Sequence, residues 1–207
     1  MAHPKRQTQA ERLKKKLAKG GWTKLAISYD QKNDEWSNGE NSLLSYDEDA
    51  DYHLVIQDDA IISDNLYENC VGLIQHTPYR TIISLYTGTV RPFNKEVSTY
   101  VERARKKNAS FIKTRRVLWG VALLIPTSDI EKIVKFCKGR KELYDTRIGR
   151  YYQHTGKPTL LCNPSIVDHD YTLPSLTGHE VEEPRHARYY EPELVKWNSK
   201  TILSFLI

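Results

Sequence analysis

The chain has 207 residues, 39% hydrophobic and 28% charged, with a formal net charge of +5. That length supports one domain with a well-buried core, and that balance excludes wholesale disorder. The longest apolar runs, "VLWGVALLIP" and "TILSFLI", are too short to span a bilayer, and no signal-peptide pattern opens the chain; no membrane partner and a cytoplasmic setting are therefore expected.

In chain order, "QTQAERLKKKLAKGG" predicts a helix with Ala10, Leu13 and Leu17 on its apolar face and Gly20-Gly21 as its stop. "TKLAISYD" alternates as a strand, and the polar "QKNDEWSNGENS" reads as a loop carrying an exposed Trp36. "LLSYDEDAD" continues as a short helix or turn, and "YHLVIQDDA" follows as a central strand. "SDNLYENCVGLIQHTP" is a helix with a Ser or Asp cap, ended by Pro78. "YRTIISLYTG" is a β-branched strand, and "NKEVSTYVERARKKNA" an amphipathic helix. "VLWGVALLIPT" is a buried strand ending at Pro126, and "SDIEKIVKFCKGR" a helix capped by Ser128 or Asp129. "ELYDTRIGRYYQHTG" is a helix stopped by Gly156, "KPTLLCNPS" a short strand, and the remainder a loop-rich tail. Strands alternating with helices predict an α/β domain with a mostly parallel central sheet flanked by helices.

Cys70, Cys137 and Cys162 lie far apart with no CxxC pair, which argues against a disulfide framework or a zinc site and for buried reduced thiols. Two basic clusters, "PKRQTQAERLKKKLAKGGWTK" and "VERARKKNASFIKTRR", are either solvated helix faces or a surface for an anionic partner.

The chemistry begins at the end of the central strand. Gln57, Asp58 and Asp59 follow Leu54-Val55-Ile56 directly. Two adjacent carboxylates there repel each other and need a positive partner, an Arg, a Lys or a metal ion. Ligands of α/β sheets sit beyond the carboxyl ends of strands, so these acids are expected to face a cleft. GxGxxG, GxxxxGK[ST] and GxSxG are all absent. A strand-end acidic pair, "YDTR" on a later helix and "PSIVDHD" near the end suit Mg²⁺ or Mn²⁺, and a hard cation between acids and a diphosphate stabilises a departing nucleoside diphosphate.

"HLVIQDDAIIS", "WGVALLIPTSDI" and "NPSIVDHDYTLPSLTG", in that order, together with the opening "AHPKR", resemble the small GT-A-type glycosyltransferases common in bacteriophage genomes, themselves distant relatives of the lipopolysaccharide glycosyltransferases. The likeness runs from His3 to the "RHARYY" segment. It implies a GT-A-like nucleotide-sugar-binding catalytic domain over residues 1–180, with residues 181–207 as a tail packing on it. It implies a metal-dependent transfer from a nucleotide sugar, with a UDP-sugar as the expected donor and Mn²⁺ or Mg²⁺ as the metal. In the register of the family's DxD motif, Asp59 is the metal ligand, Asp58 contacts ribose or supports the metal, and Gln57 stands where an acid is usual. His169 matches the late metal ligand, with Asp168 beside it. His3 and Arg6 match the first nucleotide-binding loop, and Asp30 would bond base or ribose. Asp145 holds the position of the acceptor-side carboxylate and is the candidate general base.

The acceptor alternatives are modified bases of phage DNA, in a host cytoplasm, and virion protein. The basic clusters favour DNA, because phosphate neutralisation by Lys and Arg supplies sequence-independent affinity. Structural alternatives stand beside each role. Asp58 could cap a helix while Asp59 pairs with an Arg, Asp145 could pair with Arg147 or Arg150, and His169 could bond a backbone carbonyl. Trp36 and Trp119 read more simply as loop and core anchors than as acceptor platforms. A non-catalytic GT-A-like binding module is the alternative class, kept open by Gln57, and a metal-dependent nuclease using Asp58, Asp59 and His169 is the third.

Overall fold

The structure is a computed structural model and describes residues 1–90, 93–173 and 184–205. The "PSLTG" part of the third motif and several tail residues lie outside these.

A single 3₁₀ turn, Pro4–Arg6, leads into α1 (Gln7–Lys19), whose apolar Ala10 and Leu17 are buried and whose end is closed by Gly20. Next comes α2 (Glu35–Leu44), in the stretch expected to be a loop. Asp34 starts it by accepting hydrogen bonds from the backbone N–H of Trp36 (3.2 Å) and Ser37 (3.3 Å). Trp36 is buried, not exposed. The strand expected over residues 23–30 does not form; only an isolated bridge joins Tyr29 to Ala2.

β1 (Tyr52–Ile56) and the short β2 (Ala60–Ile62) flank the acidic turn. Then follow α3 (Leu66–His76), β3 (Ile83–Ser84), α4 (Asn94–Lys106), β4 (Phe111–Thr114), β5 (Ala122–Pro126) and α5 (Thr127–Cys137). The described chain closes with α6 (Tyr144–Thr155), β6 (Thr159–Cys162), β7 (Val167–His169) and β8 (Ile202–Ser204). Neither α3 nor α5 has the side-chain cap expected of it. Asp129 is instead buried, accepting from the Tyr152 hydroxyl (3.1 Å) and from Lys157 Nζ (2.6 Å).

The main sheet has the order β1-β5-β3-β6-β4-β8, and β2 pairs with β7 in a separate two-stranded sheet. The expected parallel sheet is in fact mixed. β3–β6 and β4–β8 are parallel, whereas β1–β5, β3–β5 and β4–β6 are antiparallel. The reason is β5. Every residue of β5 is buried, and a strand buried on both faces reads as a continuous apolar run whichever way it points.

Both faces of the sheet are covered. Ile56 and Leu124 pack with Leu17, Leu66, Cys70 and Leu73 on one side. Val55, Leu123 and Ile125 pack with Trp36, Leu43, Ile133, Tyr144 and Ile148 on the other. The three cysteines are free and buried. From residue 184 onwards the chain crosses the molecule: Ser165 N–H donates to the Tyr189 carbonyl (2.8 Å), Trp197 joins the core, and β8 adds to the sheet beside β4.

Candidate active site

The acidic turn is pinned from three directions. The Gln57 N–H donates to the Val121 carbonyl (2.9 Å), and the Ala60 N–H closes the turn onto the Gln57 carbonyl (3.2 Å). The Asp170 N–H donates to the Asp59 carbonyl (2.7 Å). The β2–β7 register then places His169 opposite Ala60, which brings the "VDHD" segment beside the acids.

Arg6 answers the charge problem. Its Nη1 lies 3.0 Å from Asp58 Oδ1 and 2.7 Å from Asp59 Oδ2, with all three side chains buried. The His3 N–H donates to Asp58 Oδ2 (2.7 Å), and His3 Nδ1 caps the first turn by accepting from the Lys5 N–H (3.1 Å). Both oxygens of Asp58 are thus engaged by the N-terminal loop. His169 Nε2 stands 3.3 Å from Asp59 Oδ2. Burial raises the Asp59 carboxyl, but the hydrogen bond and charge of His169, then the charge and hydrogen bond of Arg6, outweigh it and hold it at about 2. Asp59 is therefore an anion at neutral pH.

These residues open onto a cleft of about 460 Å³ lined by His3, Arg6, Asp30, Gln57, Asp58, Asp59 and Asp145. His169 stands behind Asp59, buried. The structure therefore gathers every sequence-predicted site residue around one cleft, seven of them on its wall. Asp30 spends Oδ1 on its own loop, accepting from the Lys32 N–H (3.1 Å) and the Asp34 N–H (3.0 Å). Trp119 and Gly120 also line the cleft, and Trp119 Nε1 donates to the Val90 carbonyl (3.2 Å).

Asp145 stands in the first turn of α6 and is half-buried. Among the described residues the ion pair with Arg147 or Arg150 is not made. The Arg147 guanidinium lies over the Trp36 ring at 4.7 Å, and Arg150 bonds Gln153. Asp145 accepts from the Thr146 hydroxyl (3.3 Å). Burial raises its carboxyl, against the hydrogen bonds from Thr146.

The residue missing from the sequence reading is Glu35, the first residue of α2, which lines the same cleft. Burial first, then the charge of Asp145, push its carboxyl up to about 7, with Arg147 pulling the other way. Asp34 as a cap residue followed by Trp36 and, seven residues on, Leu43 is the signal that could have placed it at a helix start.

Among the described residues no group of three His, Cys, Asp or Glu side chains that could hold a metal ion exists. Asp59 Oδ1, however, is buried without a hydrogen-bond partner. Mg²⁺-type sites commonly use one or two carboxylates together with substrate phosphates. The residues fit a divalent cation that arrives with a diphosphate, and they do not fit an ion held by protein alone.

No protein-family model matches the chain, and no curated protein matches it. No helix among the described residues is long and apolar enough to cross a membrane.

Proposed function

We propose that this chain is a glycosyltransferase that moves a sugar from a nucleotide-sugar donor, a UDP-sugar in the first instance, to an acceptor hydroxyl. One observation carries the reading: the strand-end acids Asp58 and Asp59 and the helix-borne Asp145 line a single cleft. Resemblance assigns the donor side to the first pair and the acceptor side to the last.

Arg6 and His169 keep Asp59 ionised and fixed. With its unpartnered Oδ1, Asp59 is the residue that would hold Mn²⁺ or Mg²⁺, with His169 beside it. When bound there, the metal would supply electrostatic stabilisation of the departing diphosphate. His3 and Asp58 tie the first loop to the acidic turn, so the nucleotide side of the cleft is shaped before a donor enters. Asp145, half-buried and without an ion pair among the described residues, is the carboxylate that faces the acceptor hydroxyl and through which its proton leaves. The exposed Arg103, Lys106 and Lys107 in and just after α4 support DNA as the acceptor.

A second reading, a binding module without chemistry, is favoured by Arg6, which already bridges both acids. Hydrolysis of UDP-sugars in the presence of Mn²⁺ decides between them. Release of UDP by the parent, lost in Asp145→Asn, supports the transferase; UDP binding without turnover of any sugar nucleotide supports the module.

A further inference from the structure

The acceptor end of the cleft holds a second carboxyl to which the transfer step has so far given no task. Glu35 is the first residue of α2 and Asp145 the second of α6, and both first turns face the cleft. Their chain neighbours lock the two helix starts together, since the Trp36 and Tyr144 rings stand 6.5 Å apart. The fit is close around Tyr144 and Asp145. A Cβ on Gly39 would lie 2.2 Å from the Tyr144 ring, and one on Gly120 would lie 3.2 Å from Asp145 Cβ. The two carboxyls are thus held by packed elements, not by mobile loops.

Among the described residues neither carboxyl is held in an ion pair, although Arg185 lines the same cleft. Among the described residues Glu35 makes no side-chain hydrogen bond or ion pair, and Asp145 accepts only from Thr146 and from its own backbone N–H. The charges facing Glu35 are Asp145 and Arg147 from α6, and Asp34 and Asp30 from its own loop. Arg147 is turned to the Trp36 ring and the Glu142 carbonyl. Three acids against one committed cation favour retention of a proton near neutral pH.

We propose that Glu35 and Asp145 form one proton-sharing carboxyl pair, and that the proton of the acceptor hydroxyl comes to rest on Glu35. The proposal rests on the transferase reading. In the step, the acceptor oxygen bonds the anomeric carbon while that carbon's bond to the diphosphate oxygen breaks. The bonding electron pair leaves with the diphosphate, and the acceptor proton passes to the pair. Asp145 then has two tasks: it faces the acceptor, and its charge makes Glu35 basic enough to hold the proton.

The test combines two measurements on the full chain. Carboxyl NMR of ¹³C-labelled glutamate, with Glu35→Gln assigning the signal, should show Glu35 titrating at about 7, and Asp145→Asn should shift that midpoint to lower pH. Hydrolysis of a panel of UDP-sugars with Mn²⁺, water acting as the acceptor, should rise with pH through that midpoint and then level off. Glu35→Gln should lower the rate by about 10²-fold or more and remove that limb, while Glu35→Asp restores part of both. A Glu35 midpoint in the ordinary carboxylate range, or one indifferent to Asp145→Asn, overturns the pair. A Glu35→Gln chain with parental rate and profile overturns its role in proton transfer. If the parent turns over no UDP-sugar, the transferase reading fails and the role fails with it, whereas the NMR midpoint still decides the pair.

Discussion

Arg6 is where the charge of the site is balanced, and removing it exposes what it does. Arg6→Met leaves Asp58 and Asp59 buried side by side with one cation fewer. Breaking a buried pair from one end costs about 3–5 kcal/mol, so urea unfolding at pH 7 should show a loss of that order. Asp59 itself links stability to pH. Its folded value of about 2 lies below the ordinary 3.8, so its contribution, about 2 kcal/mol, is present above the ordinary value and disappears as pH falls through the folded one. Glu35 has the opposite sign. Its folded value of about 7 lies above the ordinary 4.5, so the folded chain holds the proton more tightly and stability falls as pH rises between those values. Glu35→Gln should therefore stabilise the fold at pH 8, by about 1–2 kcal/mol after allowance for solvent screening, and change little at pH 4. Thermal melts of parent and variant at the two pH values check this. At this scale the sequence made Asp58, Asp59 and Asp145 visible because each stands in a recognisable local pattern. The pairing of Arg6 with both acids was not, since 52 and 53 residues of chain separate the partners.

Helix α2 is the element that brings Glu35 to the cleft beside Asp145. Its weak helix formers, Asn38, Gly39, Asn41 and Ser42, concealed it in the sequence, because propensity alone disfavours a helix there. Tertiary contacts explain them: Asn38 Nδ2 donates to the Ala2 carbonyl (3.0 Å), and Gly39 gives room to the Tyr144 ring. Gly39→Ala, which on an exposed helix would stabilise by up to about 1 kcal/mol, should here destabilise by about 1–3 kcal/mol as the methyl group meets the ring. A raised melting temperature in Gly39→Ala would contradict the packing of α2 on α6. β1, β5 and α6 were legible from apolar runs and from the Gly156 stop, which has φ 68°. Their directions were not, because burial on both faces erases the difference between parallel and antiparallel neighbours. β2 and β7, three residues each, are too short to produce a period, although together they carry His169 to Asp59.

Across the whole molecule, acids outnumber cations at the cleft, where Arg6 and Arg185 are the basic residues of the lining. Asp30, Glu35, Asp58, Asp59 and Asp145 gather at the cleft, while Lys and Arg crowd α1 and α4. A DNA acceptor would therefore be held by the helices and present only its reacting hydroxyl to the acids. Reversing Arg103, Lys106 and Lys107 to Glu should weaken DNA association and reduce the slope of its salt dependence by about one for each phosphate no longer neutralised; unchanged binding would direct the search to protein or glycan acceptors. The α/β class and the neighbourhood of acids, imidazole and helix-borne Asp were readable from order along the chain, because a strand end and two later segments had to converge somewhere. That they converge through a mixed sheet and a separate two-stranded one depends on long-range pairing that no local pattern records. The most direct test of the central claim is calorimetric titration of UDP, with and without Mn²⁺, into the parent chain and into Asp59→Asn. The account predicts Mn²⁺-dependent UDP binding by the parent, lost in a folded Asp59→Asn chain. No UDP binding by the parent, or equal binding by the two, would contradict it.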